Sequence, residues 1–235
     1  MTDRILLVFP PKFGLPSVSP FSTKAMILLE MAGLDYVAKA GNVVKAPKKK
    51  LPVLIEDGRT IPDSHFIRLH LEREHGADFD PGLSEAERAV STALVALCED
   101  RLYFAGMAER WLYPENQATL PQLMDLVPKP IRGLVTKMVI RQVKRDLHGQ
   151  GTGRHSREEG LTIGRECIDA FAAHLDDKPF MMGPEPTSAD ASIYPMLIGN
   201  RSAAFQTALS GAIEAHPNLI AYCERMDERF PLPRA

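Results

Sequence analysis

Apolar residues recur with two different periods along this chain. Up to about residue 77 they come in short runs of strand length separated by turn residues, and from residue 84 onward they recur every three to four residues. Arg4–Phe9 is a continuous apolar run suited to a strand buried on both faces. Pro10, Pro11, Gly14 and Pro16 then enforce a loop. Ser19 and Pro20 read as a helix start, with serine at N-cap and proline at N1. Ala25, Leu28, Leu29 and Ala32 follow at helical spacing, and Gly33 is the expected stop. Tyr36–Ala40 predicts a second strand, followed by a basic loop over Lys45–Lys50. Val53–Ile55 predicts a short buried strand, and Asp57-Gly58 marks a tight hairpin turn into Thr60 and Ile61. Asp63 or Ser64 can cap a helix that carries Phe66, Ile67, Leu69 and Leu71 and ends near Gly76.

Asp78–Gly82 stops both periods and reads as a linker. Ser84 and Glu87 then form a capping box, and the stripe Val90, Leu94, Leu97 belongs to a helix that runs to Tyr113, where Pro114 ends it. Prolines 121, 128 and 130 break up the next stretch. Ile131–Leu147 predicts a helix with Leu134, Met138 and Val143 on its apolar face. Ser156 and Glu159 form a second capping box leading into Leu161, Gly164, Ile168, Phe171 and Leu175. Thr187–Asp190 is a third cap, with aspartate where glutamate usually sits, and Pro217 opens a last helix ending near Phe230. The expected organisation is an α/β domain over residues 1–77, a linker over 78–83 and an all-helical domain over 84–235.

Composition narrows the function classes. At roughly 150 residues per domain, 235 residues make one or two domains. With 45% apolar and 25% charged residues the chain has material for a core. Eleven basic face ten acidic residues in the first 80, and 17 face 20 in the rest, so neither part is basic enough for a general nucleic-acid binder. Cys98, Cys167 and Cys223 are odd in number and far apart, which implies neither a disulfide framework nor a CxxC metal site and points to a reducing compartment. No apolar stretch reaches 18 residues, and Ile5–Phe9 is too short for a signal-peptide core, so a soluble cytoplasmic protein without membrane contact is expected. Seven histidines without HExxH or paired spacing predict no metal. The glycines of Gly149–Gly153 follow a helix and lack GK[ST], which argues against a phosphate loop. Arg154 and His155 beside them are expected to hydrogen-bond between helices.

Three features of the first domain, in matching order and spacing, resemble the thioredoxin-like half of glutathione transferases. They are Ser19-Pro20-Phe21-Ser22 at a helix start, Lys50-Leu51-Pro52-Val53-Leu54 before a strand, and the pair Asp63-Ser64 opening a helix. Thr187–Asp190 and Pro217-Asn218-Leu219 resemble later parts of the same family. Gly151–Glu159, Lys178–Gly183 and Pro186–Asp190 resemble the branch that includes metaxins and the failed-axon-connections proteins. The resemblance implies a two-domain glutathione transferase-like fold, a thioredoxin-like α/β domain followed by an all-α domain.

It also implies a site. A free thiol has a pKa of about 8.5, so a hydroxyl at a helix N-terminus would favour the thiolate of glutathione. Ser19 stands where related classes carry an activating serine, although capping alone would also select a serine there. Leu51 before a cis Pro52 would offer its backbone to the cysteinyl part of glutathione, and Ser64 and Asp63 would take the γ-glutamyl carboxylate and ammonium, or merely cap. Of Lys45, Lys48, Lys49 and Lys50, the last is the candidate for the glycyl carboxylate. Phe13 with Tyr103, Met107 and Trp111, spaced by four on one helix face, would line a pocket for the second substrate or else belong to the core. The implied activity is transfer of glutathione, as co-substrate, to a small hydrophobic electrophile by a homodimer. The alternative is a non-catalytic binding or adaptor protein of the same fold. Thiol–disulfide exchange is disfavoured because neither Ser19 nor Ser22 supplies a sulfur.

Overall fold

The computed structural model describes residues 4–117, 119–124, 127–205 and 207–235. Its elements run β1 (Ile5–Val8), α1 (Pro20–Met31), β2 (Val37–Ala40), β3 (Val53–Glu56), β4 (Arg59–Pro62), α2 (Ser64–His75) and α3 (Glu85–Ala96). A π-helical segment (Leu97–Leu102) follows, then α4 (Tyr103–Leu112), α5 (Pro114–Gln117), a 3₁₀ turn (Leu120–Met124) and α6 (Lys129–Gln150). A short 3₁₀ turn (Thr152–Arg154), α7 (Arg157–Leu175), α8 (Ser188–Arg201), α9 (Ala208–Glu214) and α10 (Pro217–Arg229) complete the chain. The first part is thus a four-stranded mixed sheet with helices and the second is helical.

Strand order is β2-β1-β3-β4, with β1 parallel to β2 and antiparallel to β3, and β3 antiparallel to β4. Asp57 and Gly58 close the β3–β4 hairpin with positive φ of 48° and 73°, the left-handed pair that a two-residue turn requires. The register sets Leu7 opposite Val53 and Val53 opposite Pro62. The end of β1, the start of β3 and the end of β4 therefore meet at one edge of the sheet.

The first strand is not sealed on both faces, in contrast to what its unbroken apolar run predicts. Leu6 and Val8 are buried, whereas Ile5 and Leu7 are only partly so. Leu7 packs on the cluster of Val53 of β3 with Ala46 and Leu51 of the loop between β2 and β3. The helix expected to run unbroken to Tyr113 carries the π-helical segment, in which Cys98 and Leu102 are both buried. The apolar face expected on α6 also needs correction. Val143 is buried, but Leu134 and Met138 are 64% and 62% exposed, because α6 turns Thr136, Val143 and Leu147 inward.

The chain groups into two compact units. One comprises residues 1–95, 177–199 and 221–235, and the other residues 96–176 and 200–220. In the first, Asp78–Gly82 is irregular but anchored: Phe79 is buried, and Asp80 accepts from the Ser188 N–H at 3.1 Å, from the Ser188 hydroxyl at 2.9 Å and from Ser91 at 3.3 Å. Asp190, fully buried, accepts from the N–H of Met181 and from the N–H and hydroxyl of Thr187 at 2.7–2.8 Å. Burial pushes its carboxyl pKa up. In the second unit, Ser156 and Glu159 form the complete reciprocal capping box at the start of α7. Arg157 beside it forks onto the buried Glu109 of α4 with two bonds of 2.9 Å and reaches Glu115 at 2.6 Å. Arg154 binds the His148 carbonyl of α6 at 3.0 Å. Among the described residues no helix is long and apolar enough to cross a membrane.

Candidate functional site at the sheet edge

The end of the sheet where β1, β3 and β4 meet lies beside Leu51, Pro52, Asp63 and Ser64, four of the residues that the sequence singled out. The Leu51–Pro52 peptide is cis. Leu51 is held against Gly41, where a Cβ would lie 2.6 Å from a Leu51 methyl, so a larger residue there would push the Leu51 side chain aside. The Pro52 carbonyl accepts the Asp63 N–H at 3.0 Å, which ties the cis peptide to the start of α2.

Asp63 is the N-cap of α2. Its φ of 85° is unusual for a residue with a side chain, and its Oδ1 accepts the His65 N–H at 3.0 Å. Its Oδ2 lies 3.8 Å from the Lys48 ammonium, which also sits 3.8 Å over the Phe66 ring. Ser64 follows as the first residue of α2 and is 3% exposed. An α-helix leaves its first N–H groups without intrahelical acceptors, and here the Asp63 side chain takes only one of them. The positive end of the helix dipole acts in the same direction. This corner therefore offers helix N–H donors that suit an anion beside a carboxylate, that of Asp63, that suits a cation.

Ser19 is the N-cap of α1 by backbone geometry, its carbonyl accepting from Ser22 and Thr23, yet its hydroxyl makes no capping hydrogen bond. Its N–H donates to the Ser17 hydroxyl at 3.2 Å. Ser22, one turn on, is buried with a hydroxyl that meets no partner among the described residues. Within the basic loop the lysines separate. Lys48 meets Asp63, Lys49 donates to the Val44 carbonyl at 2.5 Å, and Lys50 is exposed.

Phe13 lies in the first compact unit with φ of 58° and Lys12 5.4 Å from its ring. Tyr103, Met107 and Trp111 lie in the second. Met107 and Trp111 pack with Phe104 and Leu112 on the cluster of Ala108, Val143 and Leu147, and Tyr103 sets its ring edge-on to Phe104 at 5.1 Å. Desolvation raises the Tyr103 pKa. A separate cleft of about 670 Å³ opens along β2, lined by Pro10, Pro11, Pro16, Tyr36 and Ala40 among others, and holds none of the residues assigned to glutathione.

Comparison with known proteins decides the family. The chain is 30% identical over 234 residues to the isoprene-epoxide–glutathione S-transferase of Rhodococcus sp. (strain AD45), a match that covers 95% of this chain and 98% of that one. The chain belongs to the glutathione S-transferase family. Residues 20–116 match the glutathione S-transferase N-terminal domain model, and residues 164–226 match the C-terminal domain model. Within the family it stands near the metaxin-like branch. It is 30% identical to failed axon connections of Drosophila melanogaster, over 92% of this chain and 56% of that one, and 21% identical to human metaxin-2, over 89% and 81%. The β-etherase LigF of Sphingobium sp. strain SYK-6 shares the transferase fold, with a TM-score of 0.68 at 14% identity over 98% of both chains.

Sequence reasoning passes over a second polar cluster of this chain, at the other end of α2. Glu56 at the end of β3 accepts from Arg4 on Oε1 at 2.5 Å, while its Oε2 lies 2.5 Å from His70 Nε2 and 3.0 Å from His75 Nε2. Burial alone would push the Glu56 carboxyl up, but the hydrogen bonds from His75, His70 and Arg4 outweigh it and hold the pKa at about 2. The only hint in the sequence is a lone glutamate at a strand end, 14 and 19 residues before two histidines.

Proposed function

We propose that this chain is a glutathione S-transferase that binds glutathione at the sheet edge and joins its sulfur to a small hydrophobic electrophile. The observation that carries the reading is the cis Leu51–Pro52 peptide bonded through the Asp63 N–H to a helix start that presents a buried Ser64. Leu51 would pair with the cysteinyl backbone of glutathione as an added strand, Ser64 would donate to the γ-glutamyl carboxylate, and Asp63 would take the ammonium. Lys50 is the proposed partner of the glycyl carboxylate. The Ser19 hydroxyl, not spent on capping, would donate to the thiolate at the positive end of α1.

In the reaction the thiolate attacks an electrophilic carbon and a C–S bond forms. With an epoxide the C–O bond breaks, its electron pair stays on oxygen, and that oxygen takes up the proton the thiol released. The full-length relative's name makes epoxides the first electrophiles to try. Phe13, Tyr103, Met107 and Trp111 remain the proposed contacts for the electrophile. A cytoplasmic homodimer is the proposed working state.

Calorimetric titration with glutathione tests the site directly, and conjugation of a small epoxide in the same preparation tests the chemistry. Heat of binding abolished or weakened in Ser64→Ala supports the reading. No heat at millimolar glutathione would reject it in favour of the second reading, a non-catalytic binding or adaptor protein. That reading draws support from the likeness to failed axon connections and metaxin-2, whose names denote no enzyme.

A further inference from the structure

We propose that Glu56, His70 and His75 form a binding site for a divalent zinc-like ion. Three donor atoms, one from each residue, lie within 4.8 Å of one another. Two imidazole nitrogens and one carboxylate oxygen are a donor set that zinc takes readily, with a fourth position left for water. The carboxylate is already divided between two tasks. Arg4 holds Oε1, and Oε2 alone faces both imidazoles. That is how an outer-shell partner fixes a ligating carboxylate in a one-oxygen mode.

Burial favours the site without sealing it. The Glu56 and His70 side chains are almost fully buried, whereas His75 is 26% exposed and gives an entry path. The two rings stand edge to face with centroids 5.9 Å apart, so both Nε2 atoms can address one ion from different directions. Ligand atoms around a tetrahedral zinc sit about 3.3 Å apart, given bond lengths near 2.0–2.1 Å. Binding therefore needs the two Glu–His distances to open by less than an ångström and the two imidazole nitrogens, at most 4.8 Å apart, to settle at the same spacing, with each ring carrying its proton on Nδ1. The cluster also lies at the C-terminal end of α2, where the helix dipole favours a cation. The ion would clamp the end of β3 to the end of the helix whose other end carries Ser64.

The test uses full-length protein stripped of metal and titrated with zinc against a chromophoric chelator, and separately with Co²⁺ followed by visible absorption. One equivalent should bind, Co²⁺ should give the strong bands of four-coordination, and zinc should raise the thermal midpoint. His75→Gln, at a partly exposed helix end, should lose the Co²⁺ bands and weaken zinc at least tenfold. His75→Cys, which keeps a zinc ligand, should restore binding. His216→Gln removes the half-buried histidine paired with Asp169 and should change nothing. No binding at a hundredfold excess of zinc, or binding that is indifferent to His75→Gln, would overturn the proposal. Neither result depends on whether glutathione binds.

Discussion

The two ends of α2 lie about 18 Å apart, at 1.5 Å per residue over 12 residues, and treat charge in opposite ways. At the amino end, Asp63 stays partly exposed with one distant lysine, and its side chain takes one of the helix's first N–H donors beside a cis peptide. At the carboxyl end, Glu56 is buried and its donors turn inward, a guanidinium on one oxygen and two imidazoles on the other. The first end leaves bonding capacity unfilled, which is what a ligand site requires. The second turns its groups on one another, which clamps β3 to α2 and gathers three donor atoms that a single cation could share. The lesson is that a polar cluster is read by where its spare donors point, more than by how many charges it holds.

The largest expected effect lies at the filled end. Glu56→Ala leaves Arg4 and His70 buried without their anion and should destabilise the fold by about 3 kcal/mol, measured by urea denaturation. In metal-free protein the same cluster should show in an acid titration. Because the folded pKa is depressed, its stabilisation is complete above the ordinary carboxyl value and is lost as pH falls from about 4.5 toward 2. A urea midpoint that is flat with pH across that window would break the contrast.

At the open end the effects should fall on binding. Ser64→Ala should weaken glutathione by about 1.5–3 kcal/mol in calorimetry, the usual range for a hydrogen bond to a charged group, and leave stability nearly unchanged. Asp63→Ala should cost about 1 kcal/mol of stability through the lost cap, while Asp63→Asn keeps the cap and should lose only affinity for the ammonium. The smallest expected change is the stability of Ser19→Ala, a few tenths of a kcal/mol, since its hydroxyl makes no cap bond. The same variant should raise the pKa of bound glutathione's thiol, read from thiolate absorbance against pH. Identical titration curves with glutathione bound in both proteins would remove Ser19 from the chemistry.

Features that neighbouring residues settle among themselves are legible in the amino-acid sequence. Asp57-Gly58 supplies a left-handed turn, Gly76 ends α2 with φ of 66°, and Ser156 with Glu159 caps α7, each within a few residues of chain. The cis Leu51–Pro52 peptide follows from a motif rather than from local energetics, and Ser19, Asp63 and Ser64 fall at helix starts because their residue types select that place.

What tertiary structure alone decided lies across larger gaps. Which lysine meets Asp63 depends on how the loop folds back on α2, so Lys48 rather than Lys50 stands there. Leu134 and Met138 face outward because α6 packs through Val143 and Leu147, a rotation that an apolar stripe on both sides of a helix cannot choose. Asp80 finds Ser188 across 108 residues. Glu56 finds Arg4 only because β1 and β3 pair, and it finds His70 and His75 only because α2 returns beside that sheet. Local sequence determines turns, caps and helix limits because their energies involve adjacent groups. Partners at long range depend on strand register and helix rotation, which the whole core sets together.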